Sequence, residues 1–163
     1  KQRFKMFTDN AKSVGLTYNY DIIQMTNTFD AHRLAKWANT LGKEALLTDR
    51  FMKAYFTEGH NLASFDELVK LSEEIGLNPE EARKVLESSY FASEVKEQIN
   101  ESRQIGVQGV PFFVINRKYG VSGAQAEEYF YGALEQIYAE EHPLQSLDDQ
   151  DEGAACTDES CSL

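Results

Sequence analysis

Gly109-Val110-Pro111-Phe112-Phe113-Val114-Ile115 decides the fold, because it is the one stretch of the chain that reads convincingly as a strand. It is a continuous apolar run of aromatic and β-branched residues, opened by a proline. A proline fits the first residue of a strand, where no N–H is needed for the ladder. The turn residues Asn116-Arg117-Lys118 lead into a second short extended run, Tyr119 to Gly123, so the pattern predicts a β-hairpin. Phe112 to Ile115 is apolar on both faces, which suits an interior strand covered on two sides. A two-stranded hairpin is marginal alone. No other run offers an obvious neighbour, and the chain opens on Lys1 already in a helical pattern. An N-terminal portion with further strands is therefore expected to be missing.

Outward from the hairpin the chain reads helical. Gln2 to Val14 carries an apolar stripe of Phe4, Phe7, Ala11 and Val14, stopped by Gly15. Leu16 to Met25 has no helical period and reads as loop or short extended structure. Asn27 is a good N-cap for a helix with Phe29, Leu34, Trp37, Ala38 and Leu41, closed by Gly42. Lys43 to Thr57 predicts another, with Leu46, Leu47, Phe51, Ala54, Tyr55 and Phe56, ended by Gly59. Ser64-Phe65-Asp66-Glu67 fits a capping box before Leu68, Leu71 and Ile75. Asn78-Pro79-Glu80-Glu81 combines an N-cap, a proline at the first helical position and first-turn acids, with Val85 and Leu86 as the buried face. A further helix runs from about Phe91 or Ser93 to Ile105 on Val95 and Ile99. The last, Ala126 to about Glu140, uses Phe130, Leu134 and Ile137.

Charge is unevenly spread. The net charge is -11, yet from Glu140 onward there are eight acids and no Lys or Arg. The rest, 19 acids against 16 bases, is nearly balanced at about -3. Neither part has a basic patch, which argues against nucleic acid and against an anionic membrane surface as partners. No apolar run approaches the roughly 20 residues of a membrane span, and no signal-peptide pattern is visible.

The cysteines are Cys156 and Cys161 alone, both in the acidic tail. The body must hold itself together by its core and not by disulfides. In a continuous helix the Cys-x4-Cys pair would be separated by about 7.5 Å of rise, so a disulfide there requires a turn. The flanking acids disfavour the thiolate. A metal site on this pair lacks further ligands nearby, since His32, His60 and His142 are distant in sequence; no metal and no cofactor is expected. His60 follows Gly59 in a loop and reads as solvated. Glu80-Glu81 reads as a helix start, not a carboxylate pair. No Gly-rich phosphate loop or Ser-His-Asp arrangement is evident.

Three blocks in order carry a resemblance: Asn27-Thr28-Phe29-Asp30-Ala31-His32-Arg33-Leu34, then Gly106-Val107-Gln108-Gly109-Val110-Pro111-Phe112-Phe113-Val114, then Val121-Ser122-Gly123-Ala124-Gln125. Together they resemble the FrnE-like branch of the DsbA family, thiol-disulfide oxidoreductases with a thioredoxin fold and an inserted helical domain. The resemblance covers the chain up to the acidic tail. It implies an α/β thioredoxin-like fold of DsbA type, mostly helical here with one hairpin because the N-terminal βαβ portion is absent. It implies segments at 1–26 (helix and connection of the thioredoxin-like domain), 27–105 (helical insertion), 106–142 (C-terminal hairpin and helix) and 143–163 (acidic flexible tail).

The resemblance also implies roles. Val110-Pro111 matches the family's cis-proline loop, where the residue before the proline offers its backbone to an extended substrate; on sequence alone the bond would be read as trans. Asn27, Phe29, His32, Gly109, Ser122 and Gln125 match positions lining the substrate cleft. Cys156 and Cys161 match a C-terminal cysteine pair that members of this branch can carry, which leaves two readings: an accessory redox pair, or an inert exposed tail that oxidises adventitiously. The family's Cys-x-x-Cys motif is absent, so the expectation is the C-terminal portion of a disulfide oxidoreductase or isomerase, inactive alone at the usual site. Its substrates would be thiol- or disulfide-bearing proteins or small molecules, and its location cytoplasmic. The alternatives are a kappa-type glutathione-dependent transferase or isomerase, which uses Ser for the attacking Cys, and a non-enzymatic binding module.

Overall fold

The computed structural model describes residues 2–143, and the chain divides into two compact units, Lys1–Gly106 and Val107–Leu163. Cys156 and Cys161 lie outside the described residues, as does nearly all of the predicted acidic tail.

Helices are the regular structure of the first unit. It contains α1 (Gln2–Ser13), α2 (Phe29–Thr40), α3 (Glu44–Lys53), α4 (Phe65–Glu74), α5 (Pro79–Glu87) and α6 (Ala92–Gln104). Its core is one connected cluster in which Leu34, Leu47, Leu68 and Leu71 are fully buried, with Val85 and Leu86 of α5 beside them. Each buried Leu of this kind contributes about 1.5–3 kcal/mol, so this cluster dominates the unit's stability. Helix α5 starts as its sequence dictates: Asn78 Oδ1 accepts from the N–H groups of Glu80 at 2.9 Å and Glu81 at 3.1 Å. That leaves Pro79 at a position needing no donor.

Several predicted faces are rotated. Helix α2 turns Ala31, Leu34, Ala35 and Ala38 inward, while Leu41 sits at its C-terminal cap, 53% exposed. Leu47 and Phe51 form the buried stripe of α3, which leaves Leu46 outside. In α6 Val95 alone is buried, and Ile99 is exposed. The predicted helix over 43–57 changes character near its end. Beyond Lys53 the chain widens into a π-helical turn, Ala54–Glu58, and leaves through Gly59 at φ +74°. Glycine is required there for two reasons: the left-handed φ, and a Cβ that would stand 2.8 Å from the Ile22 carbonyl oxygen. The same junction ties down the connection after α1. Asn19 N–H donates to the Phe56 carbonyl, and Thr57 Oγ1 donates to the Thr17 carbonyl.

In the second unit, β1 (Phe112–Ile115) pairs antiparallel with β2 (Tyr119–Ser122), Phe112 opposite Ser122 and Ile115 opposite Tyr119. The hairpin closes through the three residues Asn116, Arg117 and Lys118; the first two are at positive φ, and the Lys118 N–H donates to the Ile115 carbonyl. Helix α7 (Glu127–Glu141) packs on it through Ile137 and through Phe130, whose ring meets Phe113 edge-on at 4.8 Å. At the turn, Asn116 Nδ2 donates to Glu141 Oε1 at 2.7 Å, and the Tyr119 hydroxyl donates to the Glu140 carboxylate. Among the described residues β1 pairs with β2 alone, and Phe113 and Val114 are 40% and 47% exposed. The predicted two-sided cover of this strand is thus not present among them. Leu134, predicted on the buried stripe of α7, is also exposed.

Candidate functional site

The predicted site residues fall into two groups, one in each unit. In the second unit Gly109, Val110 and Pro111 form the loop that enters β1, and the Val110–Pro111 peptide bond is cis. Val110 is 89% exposed. The loop is held from the far end of the hairpin: Gly123 N–H donates to the Pro111 carbonyl at 2.9 Å. Gly123 is itself at φ +82°, and Gln125 Nε2 donates to the Ser122 carbonyl at 2.8 Å, closing the chain before α7. Pro111, Ser122 and Gln125 are thereby gathered around one short backbone junction. An exposed main chain at the mouth of a strand can hydrogen-bond an extended peptide in the manner of an added strand.

In the first unit Asn27, Phe29 and His32 cluster at the start of α2. Asn27 Oδ1 accepts from the Phe29 N–H at 2.9 Å. The helix begins at Phe29, so the N-cap position falls to Thr28, one residue later than predicted, and its hydroxyl makes no capping bond. Asn27 instead acts as an Asx turn that leads into the helix. His32 is exposed and lines a pocket of about 260 Å³ with Thr28, Ala35, Phe51, Met52 and Tyr55. The pocket opens where α3 gives way to its π-turn, a feature that recurs at functional sites. The His32 imidazole and the Thr28 and Tyr55 hydroxyls have no hydrogen-bond partner among the described residues, so the walls are apolar and the polar tips are free. An apolar concavity with a few unpaired polar groups suits an apolar side chain or small molecule.

Two features escaped the sequence reading. Arg33, five per cent exposed at its side chain, ion-pairs Asp30 at 2.7 Å. Its guanidinium also donates to the Val85, Leu86, Ser88 and Tyr90 carbonyls, and so caps the C-terminal end of α5 from α2. The Asp30-x-x-Arg33 spacing was the available signal, but it fits a surface pair equally well. The second is His60, predicted as solvated. Its Nδ1 lies 2.9 Å from Glu67 Oε2, and its Nε2 lies 3.4 Å from Glu58 Oε2. Glu67 also accepts from the Asn61 N–H at 2.7 Å, so the predicted capping box is half made. Ser64 receives the Glu67 N–H, while the Glu67 carboxylate turns to the loop ahead of the helix. Glu58 passes the network to Arg50 at 2.8 Å, and Arg50 to Glu74 at 2.6 Å. The Arg50 hydrogen bond holds the Glu74 carboxyl below its usual range. Burial alone would lower the Arg50 pKa, but the bonds to Glu74 and Glu58 outweigh it and raise it.

The comparisons with known proteins agree on one family. Residues 2–135 match the model of the DSBA-like thioredoxin domain. A crystal structure of a probable DsbA oxidoreductase from Streptomyces coelicolor is 35% identical and superposes with a TM-score of 0.76. The match covers 98% of this chain and 67% of that one. No curated protein matches.

Proposed function

The chain belongs to the DSBA-like thioredoxin domain family, with that family's fold, and on that premise we propose that it supplies the substrate-aligning part of a thiol-disulfide oxidoreductase of the FrnE-like branch. The observation that carries this is the 89% exposed Val110, on a loop tied to the hairpin by the Gly123–Pro111 hydrogen bond. An extended substrate segment pairs with the main chain of this loop. The pocket beside His32 receives an apolar group.

The chemistry is disulfide exchange or isomerisation. A thiolate attacks one sulfur of a disulfide, a mixed disulfide forms as the old S–S bond breaks, and the displaced sulfur leaves as a thiolate. A second thiol then resolves the mixed disulfide. The sequence contains no Cys-x-x-Cys, so the attacking dithiol in this reading comes from outside these residues, with Cys156 and Cys161 as an accessory relay. Substrates are thiol- or disulfide-bearing proteins or small molecules, and the cysteine-free body favours a cytoplasmic setting.

The test places a charge where the substrate backbone docks. In the full-length protein Val110→Asp should lower kcat/KM for a peptide disulfide about tenfold, or about 1.4 kcal/mol. Reaction with a small dithiol reagent, which needs no strand-like docking, should be unchanged. Equal peptide kinetics in parent and variant would overturn the assignment.

A further inference from the structure

A second concavity in the helical unit has a different chemistry. Trp37 of α2, Tyr90 and Phe91 of the connection before α6, and Glu94 of α6 line a pocket of about 530 Å³ together with Glu81 and Lys84 of α5. On α2, Trp37 lies five residues beyond His32, about 140° around the helix, so this pocket opens on another face. Trp37 and Phe91 are anchored against the buried core, while the Tyr90 side chain is 65% exposed.

The backbone under these rings is fixed. The Tyr90 carbonyl accepts from Arg33 Nε at 2.9 Å, and the Tyr90 N–H donates to Ser88 Oγ at 3.1 Å. Phe91 is held at φ +62°, a conformation that a bulky residue keeps only where its surroundings impose it. The charges leave one acid over. Lys84 Nζ is satisfied by Glu81 at 2.7 Å. Glu94 accepts from Ser93 Oγ at 3.2 Å, and no basic side chain pairs with it among the described residues.

Three aromatic side chains beside an uncompensated carboxylate form a receptor for positive charge. The aromatic quadrupole attracts a cation, most strongly at Trp, and a carboxylate adds direct attraction. We infer that this pocket binds an organic cation, an ammonium or guanidinium group, between Trp37, Tyr90 and Phe91 with its charge beside Glu94. The site is independent of the exchange chemistry and is not needed for it.

Trp37 is the sole tryptophan, so its fluorescence reports on this pocket alone. The full chain is titrated with choline, with methylguanidinium, and with 3,3-dimethylbutan-1-ol, the neutral isostere of choline, at constant ionic strength. At least one cation should change the Trp37 emission saturably in the millimolar range, while the alcohol leaves it unchanged. Response to choline alone or to methylguanidinium alone identifies the preferred head group. Tyr90→Ala and Glu94→Gln, both at exposed positions, should each weaken binding about three- to tenfold with an unaltered circular dichroism spectrum. Saturation by neither cation, an equal response to the alcohol, or unchanged affinity in both variants would overturn the inference.

Discussion

Arg33 shows how one side chain can hold several elements together. Its side chain is buried, but its charge faces Asp30 and its N–H groups meet four carbonyls at the end of α5 and the connection beyond. Helix ends leave such carbonyls unpaired, and Val85 and Leu86, which carry two of them, are buried. Arg33→Met keeps the volume but strands those acceptors and Asp30. It should cost about 3 kcal/mol, read as a lower urea midpoint at unchanged slope. Arg33→Lys should recover only part of this, because one ammonium cannot reproduce the planar fork. Arg50 makes a more exposed counterpart. Its hydrogen bond depresses the Glu74 pKa in the folded state, so its contribution is complete above the unfolded value of 4.5 and is lost as pH falls through the folded value. Glu74 is 39% exposed and screened, so the effect should be on the order of 0.5 kcal/mol. Comparing urea midpoints at neutral and acidic pH should show a smaller acid loss in Arg50→Met than in the parent.

At the scale of elements, starts and stops were legible because they are local. Asn78 and Pro79 open α5, and the three-residue turn from Asn116 closes the hairpin, on signals carried within a few residues. Which face turns inward was less legible. Leu46 and Leu47 are equally apolar, and only the packing of α3 against its neighbours separates them. The π-turn after Lys53 has no local signature either, since Ala54 to Glu58 continues an acceptable helical pattern. The candidate site was legible only through resemblance. His32 sits on an ordinary helix, and the carboxylates around His60 come from separate elements. Gly59 is where local and tertiary demands coincide. Gly59→Ala must pay about 1–2 kcal/mol for left-handed φ and in addition displace the Ile22 carbonyl, for a total of about 2–3 kcal/mol. Gly42 is also at positive φ but meets nothing within 4 Å. Gly42→Ala should therefore cost only about 1 kcal/mol. Equal thermal shifts for the two variants would show that the close approach at Ile22 carries no weight.

Over the whole molecule, the buried apolar surface is unevenly shared. The connected core lies entirely between Ala31 and Leu86, within the unit Lys1–Gly106. In the second unit only Val121 and Ile137 are buried hydrophobics among the described residues. A hairpin and one helix with so little burial cannot offset the conformational entropy of ordering them. The first unit, by contrast, caps α4 and α5 with their own side chains and pairs the buried Arg33 guanidinium internally. A fragment of residues 1–106 should therefore unfold cooperatively in urea, with a midpoint close to that of the whole chain. The fragment 107–163 should show no cooperative transition by circular dichroism. The reverse outcome, or a fragment 1–106 that melts gradually, would mean that the helical unit draws its stability from residues after Gly106. Val110, in the unit with little burial, is 89% exposed. The pockets beside His32 and Trp37, by contrast, are set into the unit that contains the connected core.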